Sequence, residues 1–232
     1  MPALVGYQLE DVVATITMDD GKVNALSLRM FTELNAALDR AEADRAVVLL
    51  CGREGVFSAG FDLSVLRAGG SGAAMMVRAG FELAERVLAF PTPVVIACTG
   101  HAVAMGVFLL LSGDYRLGAA GSYKLTANEV AIGLTMPRAA VEILRQRLSP
   151  SYFNRAVTIA EPFSPDNAVE AGFLDRVVPA AELHATARNV ARQLSALDMV
   201  AHKASKLRAR THTLAAVRAG IDADYAAFRA RA

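Results

Sequence analysis

Cysteine, long hydrophobic runs and charge of one sign are all scarce in this chain, and each scarcity excludes something. Cys51 and Cys98 are the two cysteines, each inside an apolar, strand-like run. That suits buried thiols in a reducing compartment better than a disulfide or a metal pair. The four histidines are scattered without ligand spacing, so no metal site is expected. The most apolar stretch, Ala102 to Leu111, is too short to cross a bilayer and ends at Ser112-Gly113-Asp114. Residues 1–7 carry neither the basic region nor the long apolar stretch of a signal peptide, so a cytoplasmic location is expected. With 24 basic and 23 acidic residues the net charge is +1, which leaves no basic excess to recruit a nucleic acid.

What is plentiful is apolar surface. At 54% hydrophobic residues in 232, the chain can fill one continuous core and still leave some surface for subunit contacts. Val12 to Met18 alternates and is β-branched, which predicts a strand. From Ser27, a plausible N-cap, Leu28, Phe31, Leu34 and Leu38 recur at helical spacing as far as Ala43. Ala46 to Cys51 is a strand apolar on both faces, and Val94 to Cys98, after Pro91-Thr92-Pro93, is another. Between them a loop with Gly69, Gly70 and Gly72 leads into a helix over 73–90. Gly100 opens a turn into a short helix at Met105–Ser112, and a strand follows at Asp114–Leu117. This alternation predicts an α/β core with right-handed crossovers over residues 1–180. After Pro137 helices dominate, at 137–148, 151–160, 164–171, 181–197 and 213–229, with a short strand at Leu174–Val178. Residues 181–232 are expected as a helical C-terminal region, packed over the site or over a neighbouring subunit.

Two segments carry possible chemistry. Phe57 to Leu63 follows a buried strand, and its small residues Ala59 and Gly60 let the backbone come close to a ligand. Gly100 to Val107 follows another buried strand and feeds a helix whose first N–H groups have no partner within it. Together they can place two N–H donors around one carbonyl oxygen; separately, each also suits an ordinary strand-to-helix turn.

These segments, with Asp114-Tyr115-Arg116 after them, resemble the paired motifs of the crotonase (enoyl-CoA hydratase/isomerase) family. Lys22-Val23-Asn24-Ala25-Leu26-Ser27, Asn128 to Leu134, and Ala168 to Val178 are similar to further motifs of that family, in the same order. The likeness runs from near Val5 to near Val200. It implies a crotonase-like ββα-superhelix core with a helical C-terminal region, a homotrimer or hexamer, and coenzyme A as part of a thioester substrate with no tightly bound cofactor. It implies an oxyanion hole from the backbone N–H groups of Phe61 and Met105. Lys22, Val23, Asn24, Ala25, Ala59, Gly60, Asp62 and Leu63 are implied as coenzyme A contacts, and Phe108, Ile132 and Leu134 as the acyl pocket. Met105 stands where glycine is common, so its side chain is expected to crowd that pocket.

Hydratases of the family hold a water between two glutamates. One of those positions is Phe108 here, and the other is Glu129. A single carboxylate resembles instead the Δ3,Δ2-enoyl-CoA isomerases of fatty-acid β-oxidation, in which one base moves a proton from C2 to C4. The alternatives are a hydratase with an altered site and a non-catalytic acyl-CoA binder. Burial beside Phe108 and Ile132 is expected to raise the Glu129 pKa. A second account of Glu129 makes Asn128 an N-cap, with Glu129 in the first turn of a helix. Asp62 is expected to orient its loop, His101 to be structural, and Glu82 and Glu85 to join Arg78 and Arg86 in a solvated ion-paired face. Lys203, Lys206, Arg208 and Arg210 form a basic cluster that suits coenzyme A phosphates or a solvated helix face equally.

Overall fold

The computed structural model describes residues 2–230. A six-stranded sheet runs in the order Val5–Glu10, Val13–Met18, Val47–Cys51, Val94–Cys98, Tyr115–Ala119, Arg176–Val178. The first pair is antiparallel and every later pairing is parallel. Strand order in space therefore follows chain order, with helices carrying each parallel crossover.

The side-chain period of two assigns the strands' residues to two cores. Val48, Leu50 and Ile96 face the helices Leu28–Ala43 and Gly70–Ala89. Val47, Leu49, Cys51, Val95 and Ala97 face Leu183, Ala187 and Ala191 on the helix Leu183–Leu194. Cys51 and Cys98 thus point to opposite faces of the sheet, and both are free, buried thiols. Burial pushes the Cys98 thiol up to about 12. Ser27 caps the first helix, its hydroxyl accepting from the Met30 N–H at 3.2 Å.

Several expected boundaries move. Val5–Glu10 was expected as no element and is an edge strand whose polar residues face solvent. The helix expected from Ala73 starts at Gly70, and a short helix, Leu63–Ala68, precedes it. Part of the loop expected at Phe57–Leu63 and the turn expected from Gly100 are strands. Gly100–Val103 is the middle strand of a second, three-stranded parallel sheet between Gly55–Ser58 and Leu125–Thr126, and Gly60–Phe61 pairs with Ala25–Leu26. The last helices are Met199–Ala209, which the sequence pattern did not predict, and Thr211–Ala230. Gly220 seats the final helix on Arg138–Arg145, where a Cβ would lie 2.7 Å from the Ala139 nitrogen. No helix among the described residues is long and apolar enough to cross a membrane.

Candidate active site

The first turn is held by a buried polar chain. Asn24 adopts φ 52° because its side chain is used on every side. Its amide donates to the Met18 and Phe57 carbonyls at 2.9 and 3.1 Å, and its Oδ1 accepts from the Asp20 N–H. Asp20 in turn accepts from the N–H groups of Lys22, Asn24 and Ala25. Those bonds hold its carboxyl below the usual range against the opposing effect of burial, the largest single influence on it. Ser58 Oγ donates to the Asn24 carbonyl at 2.7 Å and accepts from the Gly60 N–H. The Asp62 N–H reaches the Leu26 carbonyl. N–H groups alternate in direction along a strand, so the Phe61 N–H points away from Ala25–Leu26.

The second turn abuts the first. Gly60, at φ 91°, has no room for a Cβ, which would sit 2.8 Å from the Val103 carbonyl and 3.3 Å from the Met105 nitrogen. A Cβ on Gly106 would meet the Ser58 carbonyl at 2.5 Å. Two absent side chains thus let two backbones touch. Ala104 takes a strained φ of 49°, held by its N–H to the Thr126 carbonyl at 2.9 Å. Met105 is the first residue of the helix Met105–Ser112, so its N–H has no partner within that helix.

Glu129 lines a cavity of about 600 Å³ together with Ala59, Phe61 and Ala104. It is 6% exposed, its Oε2 has no hydrogen-bond partner among the described residues, and burial raises its pKa to about 7. The capping account of Asn128 does not hold. Glu129 itself precedes the 3-10 turn Val130–Ile132, no side chain caps that turn, and Asn128 Oδ1 is likewise unpartnered. The cavity's other carboxylate, Asp224, is bonded to the Arg138 N–H and Nη1 at 2.7 and 2.8 Å. Among the described residues one free carboxyl therefore faces the cavity.

Of the residues expected there, Ala59, Phe61, Leu63, Ile132 and Leu134 line the cavity. Phe108 does not. It is buried and stacked on Phe81 at 5.8 Å, and Phe81 meets the edge of the cavity residue Phe61. The Met105 side chain is buried in the core and does not crowd the cavity. Asn24 and Gly60 are buried and join the turns, so neither side offers a ligand surface. Asp62 caps the helix Leu63–Ala68 by accepting from the Ser64 N–H at 2.9 Å and its hydroxyl at 2.6 Å, and that hydroxyl holds its carboxyl low. Lys22 and Val23 are exposed and Ala25 half-buried, outside the cavity wall. His101 accepts from the Lys124 N–H and lies edge-on to Tyr123. Glu82 pairs with Arg78 and Arg218, and Glu85 with Arg218, while Arg86 turns instead to Asp39 and Glu42. Two members of the basic cluster are withdrawn from solvent: Lys206 and Arg210 pair with Asp114 at 2.6 and 2.9 Å. The wall contributed by Leu66, Val77, Asp224, Ala227 and Phe228 had no local motif to announce it.

The topology is that of an α/β protein in which two backbone turns meet beside a buried carboxyl at one cavity. Residues 8–230 match the enoyl-CoA hydratase/isomerase family, and the chain belongs to it. A solved Mycobacterium tuberculosis structure described as an enoyl-CoA isomerase is 47% identical with a TM-score of 0.94, covering 97% of this chain and 99% of its own. Another structure of that same protein, at 48% identity and a TM-score of 0.95, is described as a probable enoyl-CoA hydratase. An enoyl-CoA hydratase structure from Mycobacterium marinum is 48% identical with a TM-score of 0.94 and the same coverage. Human mitochondrial enoyl-CoA delta isomerase 1 is 32% identical over 221 residues, 91% of this chain and 72% of that one.

Proposed function

We propose that this protein is a Δ3,Δ2-enoyl-CoA isomerase in which Glu129 is the single base. The observation that carries the reading is the Glu129 carboxyl. It is buried, unpartnered at Oε2 and raised to about 7, in a cavity shared with Phe61 and, among the described residues, without a second free carboxyl. A hydratase needs two groups to hold and split water, whereas a 1,3-proton shift needs one. Ionised Glu129 takes a proton from C2 of a 3-enoyl thioester. The electron pair moves onto the thioester oxygen, which the N–H groups of Phe61 and Met105 stabilise. The same proton then returns from Glu129 to C4, giving the 2-enoyl thioester and regenerating the carboxylate. Coenzyme A enters and leaves as part of the substrate, and no tightly bound cofactor takes part.

Incubation with a 3-enoyl-CoA yields the 2-enoyl isomer, followed by ultraviolet absorbance of the conjugated thioester. Rapid hydration of a 2-enoyl-CoA with no shift of the 3-enoyl substrate overturns the proposal and favours the hydratase reading. The base form is required, so kcat/KM falls about tenfold for each pH unit below the Glu129 pKa of about 7 and levels off above it. A rate that is flat from about pH 5 to about pH 8 removes Glu129 from the proton-transfer step.

A further inference from the structure

The C-terminal helix Thr211–Ala230 presents Asp224, Ala227 and Phe228 to the cavity. Their i, i+3, i+4 spacing puts them on one face. That helix is anchored over 218–225. Arg218 pairs with Glu85, Gly220 lies against Ala139, Asp222 approaches Arg78 at 3.5 Å, Asp224 holds Arg138, and the Tyr225 ring lies under Arg78. Phe228 follows these anchors by less than one helical turn. Its ring stands at the cavity's rim, 40% exposed, whereas Glu129 lies at depth with 6%.

If the thioester oxygen sits at the Phe61 and Met105 N–H groups, as the proposed function requires, the remaining apolar wall receives the acyl chain. That wall is Leu66, Val77, Ile132, Leu134, Met136 and Phe228. Phe228 is the bulkiest of these side chains, and it stands just beyond the anchored stretch of its helix. We infer that Phe228 sets the acyl-chain length. Its ring lines the more exposed end of the cavity, so medium straight chains end short of it and longer ones must displace it. The inference rests on the acyl-CoA reading of this cavity.

The test uses binding, so that it does not depend on turnover. A series of saturated straight-chain acyl-CoAs of increasing length is titrated calorimetrically into the full chain and into Phe228→Ala and Phe228→Trp. In the parent, affinity rises with length and then stops rising. In Phe228→Ala the break moves to longer chains, and the longest acyl-CoA gains at least about tenfold relative to a short one. In Phe228→Trp the break moves to shorter chains. An identical break in all three proteins overturns the role of Phe228 and leaves the isomerase reading intact. Absence of acyl-CoA binding by the parent overturns the acyl-CoA reading, and the inference falls with it.

Discussion

Glu129→Gln lowers the turnover of a 3-enoyl-CoA by about a thousandfold, within the range usual for removing a general base, while the KM stays close to that of the parent. The amide keeps the size and polarity of the side chain but cannot accept the C2 proton. The oxyanion donors proposed on Phe61 and Met105 are backbone groups that the substitution leaves in place. Ground-state binding therefore survives and the proton transfer does not. Steady-state kinetics, with acyl-CoA binding measured separately, checks this. Unchanged turnover would sink Glu129 as the base. If the parent binds acyl-CoA but turns none over, the chain is an acyl-CoA binder.

The same substitution stabilises the fold at neutral and higher pH. Burial lifts the Glu129 carboxyl from 4.5 to about 7, so between those values the folded chain holds a proton that the unfolded chain has released. Stability therefore falls as pH rises through that window and is flat above it. Glutamine removes this slope. At about pH 8 the variant gains roughly 2 kcal/mol, less than the full shift implies because its amide also lacks a partner. At about pH 5 most of that gain disappears, which thermal denaturation at the two pH values reads directly. A side chain whose replacement raises stability and abolishes turnover is retained for chemistry rather than for the fold.

Legibility in the sequence followed pattern length. Val47–Cys51 and Val94–Cys98 are continuous apolar runs buried on both faces, and Leu28–Ala43 has both a capping serine and a periodic apolar face. Such segments declare themselves because burial demands many matching residues. The second sheet does not, since Gly55–Ser58 and Gly100–Val103 are four residues each and Leu125–Thr126 only two. Pairing between distant segments, rather than local alternation, makes them strands. At the site, the two turns and Glu129 were readable through the family resemblance, because their local spacing suits ordinary Gly turns and a helix cap as well.

Orientation was not readable where a helix is buried all round. Every residue of Met105–Ser112 is buried, so position 108 carries no periodic signal of which neighbour it faces, and Phe108 was placed on the cavity instead of behind Phe81. The C-terminal wall was hidden for a different reason. Asp224 and Phe228 reach the cavity only because Gly220 lets their helix close on Ala139, a tertiary contact with no local trace. The basic cluster misled in the opposite direction. Its spacing reads as a solvated face, yet Lys206 passes inward to Asp114.

That inward pair sets the largest expected loss of stability: Asp114→Ala costs about 3–5 kcal/mol. The Asp114 carboxylate accepts from the Val94 N–H at 2.7 Å and from Lys206 Nζ at 2.6 Å, and its second oxygen faces Arg210 at 2.9 Å. The Lys206 and Arg210 side chains are 4% and 13% exposed, so alanine strands two buried cations and one backbone donor. Lys206→Met behaves differently. It removes a cation whose pKa burial has already lowered to about 8, and it leaves Asp114 with Arg210 and the Val94 N–H. Its cost at neutral pH is therefore close to zero, and replacement of a buried charge by an apolar chain of similar length can even stabilise. Any advantage of the methionine variant shrinks as pH rises from about 8 toward 10.5, because the folded parent there sheds a proton that the unfolded chain keeps, which raises the parent's stability. Urea denaturation of both variants tests the asymmetry. Equal losses for the two would mean that the cluster stabilises through Lys206 itself rather than through the carboxylate that neutralises it. Neither Asp114 nor Lys206 lines the Glu129 cavity, so the folded fraction of each variant keeps the parent's pH profile of activity.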